Sequence, residues 1–252
     1  MLTGISQLLA LLLTFYLILG EPIFGSLLYR RFLKKVAKNR AARKQQYLLW
    51  IGQEWIWVLV IIFIIFLSSV PLSMLGLQPP QDWTITLLVS ICLLPSMVIA
   101  SILLVRQIKK TARAGPAQSL LETKEMLPHT SGERLLFLLL SFTAGVCEEV
   151  TFRGFLSWSL LQIVRFLGGQ WPLWAGLILS TIIFGLAHCY QGWKGVLRTG
   201  YTGGVFAILY VWTGSLLLPI LCHILIDSRN IFVAPAVLRL AQTTEKDEGT
   251  AS

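Results

Sequence analysis

Charged residues are scarce in this chain of 252 residues: Asp, Glu, Lys and Arg make up 13% of it, whereas hydrophobic residues make up 55%. The mean hydropathy is +0.72. A soluble domain of this size needs a far more polar surface, so the composition excludes that class. The chain also lacks a Gly-rich phosphate-binding loop and a long internal repeat. The composition therefore predicts an integral membrane protein.

Cysteine is also rare, and its placement excludes a disulfide framework. The four cysteines all fall within apolar stretches and form no CxxC pair. We expect them to be small buried hydrophobic residues and not metal ligands. They are Cys92, Cys147, Cys189 and Cys222.

Long apolar runs make up most of the chain, and seven of them approach the roughly 20 residues needed to cross a bilayer. They lie near Gly4–Gly20, Tyr47–Val70, Trp83–Val105, Leu135–Val164, Trp171–Tyr190, Thr199–Trp212 and Ser215–Val233. The fourth run is long enough for a kinked helix or for a span with an interfacial piece, so the expected count is seven or eight. We predict an all-α, polytopic transmembrane bundle forming a single domain over residues 1–241. Glu21-Pro22 is expected to end the first helix.

The net charge of +9 comes from basic residues that are grouped between the apolar runs. Arg30–Lys44 contains eight Lys and Arg residues, Pro71–Asp82 contains none, and Arg106–Arg134 contains six. By the positive-inside rule this alternation places the N-terminus outside and the C-terminus in the cytoplasm. Membrane topology thus explains the charge without nucleic acid, and contact with anionic lipid heads is expected.

Predictions can also be made for two polar segments and for one acidic residue outside the motifs. The connection over residues 107–133 has the composition of a mobile cytosolic loop, in which His129 would be solvated. The polar tail 242–252 is expected to be disordered. Glu54, in the second run, either snorkels or pairs locally, or it faces a central cavity.

The fourth run contains three charges within six residues, in the sequence Cys147-Glu148-Glu149-Val150-Thr151-Phe152-Arg153. Each charge costs about 2.5–3.5 kcal/mol at a bilayer centre, so such residues usually face a partner or a water-filled cavity. Glu149 and Arg153 are four residues apart with Glu first, which favours an ion pair on one helix face. Glu148 has no helical partner and is left free for chemistry.

Two later runs contain further polar pairs at the same spacing, Phe184 with His188 and His223 with Asp227. Asp227 can accept the imidazole N–H of His223 and fix its tautomer, while Phe184 offers an apolar cavity wall. Together with Glu148, the histidines supply a water-activating carboxylate and two imidazoles inside the membrane.

Three chemistries are compatible with this set. A Zn²⁺ ion held by Glu148, His188 and His223 would lower the pKa of its bound water to about 7. Without metal, the glutamate would act as general base, with the histidines as proton and oxyanion partners. Both routes lead to amide hydrolysis. A proton or ion relay in a transporter is the third alternative.

The order Glu-Glu-x-x-x-Arg, Phe-x-x-x-His and His-x-x-x-Asp on successive late runs resembles the CPBP family of intramembrane proteases. These are relatives of the type II CAAX prenyl endopeptidase, also called the Abi family. The resemblance covers roughly Leu135–Val233, and the first hundred residues match it only in character. Each motif alone is weak evidence, but three in order within a polytopic chain are specific.

The resemblance implies an endopeptidase in which Glu148 and His188 activate the attacking water, and His223 with residue 227 stabilises the oxyanion. The prenyl endopeptidase usually has asparagine where this chain has Asp227, and an ionised aspartate cannot donate a hydrogen bond. Asp227 is therefore expected to orient His223 or to ligate a metal. The expected substrates are membrane-embedded or lipid-attached proteins, and the family leaves the need for zinc open. A non-proteolytic interaction or immunity protein is the main alternative.

Overall fold

The computed structural model describes residues 4–68, 70–111, 124–170 and 172–250, with backbone alone at 109, 111, 240 and 243–250. Every regular element in this part of the chain is helical, as the sequence predicts. The α-helices are α1 (Gly4–Phe15), α2 (Glu21–Lys38), α3 (Ala42–Phe66), α4 (Trp83–Thr111), α5 (Ser131–Glu148), α6 (Ser157–Phe166), α7 (Leu173–Ala187), α8 (Gly192–Thr213), α9 (Leu217–Ser228) and α10 (Asn230–Thr250). Wider π-helical segments, Tyr16–Gly20 and Glu149–Leu156, join α1 to α2 and α5 to α6. Short 3₁₀ turns occupy Leu72–Leu75, Lys124–Met126 and Cys189–Gln191.

The expected count of seven or eight spans is not confirmed. Within the described ranges five helical stretches are long and apolar enough to cross a membrane, or six if the bent pair formed by α7 and α8 counts as one. Helix α7 has 15 residues, which gives a length of only about 22 Å, less than the roughly 30 Å of a hydrocarbon core. Lys194 and Arg198 interrupt the first turns of α8. These two apolar runs therefore form one bent pair of helices, and neither is a separate span.

Helices α7 and α8 pack against each other as an antiparallel hairpin through small residues. A Cβ atom on Gly185 would meet the Val196 carbonyl oxygen at 3.1 Å and the Gly200 Cα at 3.3 Å. The residue before it in α7, Phe184, lies beside Gly203 of α8. Small residues let the two backbones approach this closely, and the hairpin brings His188 and Tyr190 to its bend.

The prediction that Glu21-Pro22 ends the first helix is wrong. The helical stretch continues from Gly4 to Lys38, and Pro22 stands at the start of α2, directly after the π-helical segment. A proline in the first turn of a helix removes an N–H group that has little to bind there. The change of hydrogen-bond pattern at Tyr16–Gly20 thus accommodates the proline without a break.

The segment before α5 is tied to the start of α3 by a buried arginine. Arg43 is 1% exposed, and its Nη2 and Nη1 atoms lie 2.8 Å from Glu125 and 3.3 Å from Glu133 carboxylate oxygens. Thr130 caps α5 reciprocally with Glu133. His129 is half-buried here and not solvated as expected. Burial, and then the nearby Arg43 charge, lower the pKa of His129.

The rest of the predicted mobile connection, residues 112–123, lies outside the described residues. The expected disorder of the tail 242–252 stays a prediction; the backbone of α10 is helical to Thr250, and residues 251 and 252 are outside the described ranges. Ala, Gln, Glu and Lys in this stretch are good helix formers. Helix α10 can therefore extend beyond the last apolar residue.

Candidate active site

The site is built on the π-helical segment Glu149–Leu156, all of whose residues are buried. The segment packs between α1, α3 and α7 in the largest apolar cluster, where Phe155 and Leu156 are completely buried. Ser180 of α7 donates a hydrogen bond to the Phe152 carbonyl oxygen at 2.5 Å. π-helical turns are rare and frequently occur at functional sites. The π-helical geometry therefore supports a functional role for this segment.

Glu149 and Arg153 are in contact within this segment, as their spacing predicts. Arg153 Nη1 lies 3.0 Å from Glu149 Oε1, and the two side chains are 1% and 0% exposed. The guanidinium carbon of Arg153 is 4.1 Å from the ring centroid of Phe184, which adds a cation–π contact. The charge of Arg153 is thus balanced on one side by a carboxylate and covered on the other by an aromatic ring.

Helix α9 brings His223 onto the same carboxylate. His223 Nδ1 lies 2.8 Å from Glu149 Oε1, so one oxygen accepts hydrogen bonds from both the arginine and the imidazole. Asp227 Oδ2 is 3.7 Å from the other ring nitrogen, Nε2, so the hydrogen bond at Nδ1 goes to Glu149, and an orienting role for Asp227 stays a prediction. Glu149 is therefore more than a partner of Arg153: it orients the histidine.

Two carboxylates face His223 Nε2 at the same distance. Glu148 Oε2 and Asp227 Oδ2 are each 3.7 Å away, too far for a direct hydrogen bond but suitable for one bridging water. Glu148 Oε2 is buried and has no hydrogen-bond partner among the described residues. The side chain of Asp227 is 35% exposed. The ring thus points its Nε2 into a small polar space between two acids.

His188 ends α7 with its ring oriented by the backbone. Its Nδ1 lies 2.9 Å from the Phe184 carbonyl oxygen. Since a carbonyl only accepts, Nδ1 carries the proton and a neutral ring keeps its lone pair on Nε2. The ring centroid of Phe184 lies 4.8 Å from that of His188 and 6.2 Å from that of His223. Phe184 thus separates the two imidazoles as the predicted wall residue.

No ion pair or hydrogen bond joins His188 to Glu148 in the part of the chain that the structure describes. Nor does any group of three or more His, Cys, Asp or Glu side chains in those ranges have an arrangement that could hold a metal ion. The predicted zinc set of Glu148, His188 and His223 does not fit such a site in this arrangement. Zinc stays a prediction, and no chemical step derived from these residues requires it.

Two polar groups beside the site extend what the sequence indicates. Glu54 is half-buried in α3, and the neighbouring Gln53 Nε2 lies 3.3 Å from a Glu21 oxygen. Tyr190 was not among the predicted residues, yet its ring centroid is 5.8 Å from that of His188. Its position two residues after a motif histidine was the one available signal.

A search of curated proteins finds no match. A search of solved structures finds none either. A family model does match, over residues 130–229, and it is described as Rce1-like, type II CAAX prenyl endopeptidase Rce1-like. The matched range contains all seven motif residues: Glu148, Glu149, Arg153, Phe184, His188, His223 and Asp227. The resemblance that the three motifs predict is thereby confirmed over residues 130–229 of this multi-pass membrane protein, which match the model of the Rce1-like type II CAAX prenyl endopeptidase family.

Proposed function

We propose that the chain is an intramembrane endopeptidase that hydrolyses peptide bonds of membrane-associated protein substrates. The observation that carries this proposal is the division of labour between two adjacent carboxylates. Glu149 is occupied by Arg153 and His223, whereas Glu148 keeps a buried oxygen that has no hydrogen-bond partner among the described residues and lies 3.7 Å from His223 Nε2. A free carboxylate beside imidazoles, in a family of endopeptidases, is suited to activating water.

In the proposed reaction Glu148 takes a proton from water as general base while His188 Nε2 accepts the other water hydrogen. The hydroxide oxygen attacks the carbonyl carbon, and the carbonyl electron pair moves onto oxygen. His223 holds a proton on Nδ1 against Glu149 and, in its charged form, donates from Nε2 to this oxyanion. The carbon–nitrogen bond then breaks, and Glu148 returns its proton to the leaving amine.

The substrates would meet the site within the bilayer, where the lipid-attached or membrane-embedded part of a protein holds a peptide bond near Glu148. The family name suggests prenylated proteins ending in Cys-aliphatic-aliphatic-X as the first class to test. The grouping of basic residues suggests that Arg30–Lys44 faces the cytoplasm. We infer from it an external N-terminus and a cytoplasmic C-terminus.

The test is the substitution Glu148→Gln in purified protein reconstituted into liposomes. The probe is a quenched-fluorescent peptide ending in a prenylated Cys-aliphatic-aliphatic-X sequence, supplemented by comparison of membrane proteomes from cells with wild-type or variant protein. We expect cleavage to fall by at least roughly a thousandfold, because the amide cannot accept the water proton.

Asp82→Asn is the matched control. Asp82 Oδ1 accepts hydrogen bonds from the backbone N–H groups of Thr84 and Ile85 at the start of α4, and asparagine caps a helix equally well. This variant should cleave the probe at the wild-type rate. Wild-type protein that cleaves neither the probe nor any membrane protein would contradict the proposal, as would a Glu148→Gln variant with wild-type activity.

A further inference from the structure

The proposed reaction develops negative charge on a carbonyl oxygen, and Asp227 is poorly suited to receive it. An ionised carboxylate only accepts hydrogen bonds. It lies at the same distance from His223 Nε2 as the general base Glu148, so it adds a second negative charge beside the reacting group. A neutral donor elsewhere in the site would serve the oxyanion better.

Tyr190 occupies a position that fits this need. It lies in the turn between α7 and α8, two residues after His188, and its ring packs between that of His188 at 5.8 Å and that of Tyr29 at 5.0 Å. His188 is one of the two groups that hold the attacking water in the proposed reaction, so its neighbour Tyr190 borders the place where the substrate carbonyl is attacked.

A hydrogen-bond chain determines which way the hydroxyl proton points. Arg198 Nη2 donates to Gln191 Oε1 at 3.2 Å, so the amide oxygen of Gln191 is used. Gln191 Nε2 donates to the Tyr190 oxygen at 3.1 Å. Since the tyrosine oxygen already accepts a hydrogen bond, its own proton is free to be donated away from Gln191. The same chain, which begins at a positive charge, polarises the O–H group.

We propose that the Tyr190 hydroxyl donates a hydrogen bond to the oxyanion and supplies the neutral donor that Asp227 cannot be. When water attacks the carbonyl carbon, the carbonyl electron pair moves onto oxygen and the water proton goes to Glu148. The oxyanion then accepts from Tyr190 O–H and His223 Nε2–H, and no proton leaves the tyrosine. The proposal rests on the proposed peptidase function, and tyrosine is among the side chains that form oxyanion holes.

The test is Tyr190→Phe, which removes the hydroxyl group but keeps the ring between His188 and Tyr29. With the prenylated peptide probe in liposomes, we expect kcat to fall roughly 10²–10³-fold, the usual loss for one oxyanion donor, with KM within about twofold. Tyr210→Phe removes another largely buried hydroxyl group in α8, away from the polar space, and should leave kcat unchanged.

A second background separates catalysis from a merely structural role. Asn at position 227 has an N–H donor, so in Asp227→Asn protein the same Tyr190→Phe change should cost about tenfold or less. Undiminished kcat in Tyr190→Phe, or an equal loss in both backgrounds, would overturn the assignment. If Glu148→Gln abolishes cleavage but Tyr190→Phe does not, the peptidase function stands and only this inference fails. If the wild-type protein shows no proteolysis, both the proposed peptidase function and the role of Tyr190 are contradicted.

Discussion

One oxygen of Glu149 accepts hydrogen bonds from two side chains. Glu149 therefore holds both of them in place in the site. Glu149 Oε1 lies 3.0 Å from Arg153 Nη1 and 2.8 Å from His223 Nδ1. In a region where the carboxylate is 0% exposed, both partners lose much of their support if it is removed. The charge of Arg153 would remain buried, and the His223 ring would lose the acceptor that fixes its orientation.

We predict that Glu149→Gln lowers the free energy of unfolding by about 3–5 kcal/mol, because removing one partner leaves a buried charge uncompensated. Chemical unfolding of the purified protein in detergent micelles, followed by tryptophan fluorescence, measures the change. Glu148→Gln is the isosteric control on the neighbouring residue. Its Oε2 atom has no hydrogen-bond partner among the described residues, so the free energy of unfolding of this variant should change by less than about 1 kcal/mol. Equal losses in the two variants would contradict the assigned role of Glu149.

The residue scale also shows which contacts a sequence can predict. Glu149 and Arg153 are four residues apart, and helical geometry alone brings them together. The same spacing suggested Asp227 as the partner of His223, but Glu149, 74 residues away in the chain, is the closer one. Helical periodicity gives contacts within one helix, whereas the contact to Glu149 depends on how α9 packs against α5.

At the scale of helices, the α7–α8 hairpin holds both the arginine and the aromatic wall in place. Gly203 of α8 lies directly against both side chains: an added Cβ would lie 2.5 Å from Arg153 Nη2 and 3.0 Å from Phe184 Cδ1. The absence of a side chain at Gly203 therefore makes the room in which the guanidinium group stacks on Phe184. A glycine outside the left-handed region serves here through size alone.

We predict that Gly203→Ala destabilises the protein by about 1–3 kcal/mol through overpacking and lowers the cleavage rate, because the methyl group displaces Arg153 or Phe184. Gly204→Ala is the control on the next residue, where an added Cβ meets only Thr181 Cγ2 at 3.9 Å. Ala also has the better helix propensity, so this variant should be as stable as wild type or more so. Thermal unfolding and the peptide assay on both variants measure the difference. A Gly203→Ala variant with wild-type stability would show that the hairpin can accommodate the methyl group, and it would contradict the prediction.

Helix limits were less predictable than helix content, for physical reasons visible at two places. Proline has no backbone N–H group, so Pro22 predicts the end of a helix, but the π-helical segment before it lets the helix continue. The runs from Trp171 and Thr199 have the hydropathy of separate spans, yet α7 is too short and α8 too charged at its start to cross alone. Both outcomes depend on packing against neighbouring helices, which the hydropathy of a single run does not contain.

For the whole molecule, the remaining question is which side of the membrane the site opens to. Tyr190 packs against Tyr29 of α2 at 5.0 Å, and Tyr29 lies nine residues before the end of α2 at Lys38, a rise of about 14 Å. The turn that carries His188 and Tyr190 is therefore nearer the end of the bundle that bears Arg30–Lys44. If that basic end faces the cytoplasm, the cleaved peptide is released there.

We predict that a cysteine at position 38 is shielded in intact cells and that one at position 77 is not. Lys38 ends α2 in the basic segment, whereas Leu77, 41% exposed, lies in the connection before α4 that contains no Lys or Arg. In protein whose exposed Cys92 and Cys189 are replaced by serine, a membrane-impermeant maleimide should label Leu77→Cys from outside. It should label Lys38→Cys only after permeabilisation. The reverse pattern would place the basic end outside and contradict the orientation inferred from charge, since the positive-inside rule keeps short loops rich in Lys and Arg in the cytoplasm.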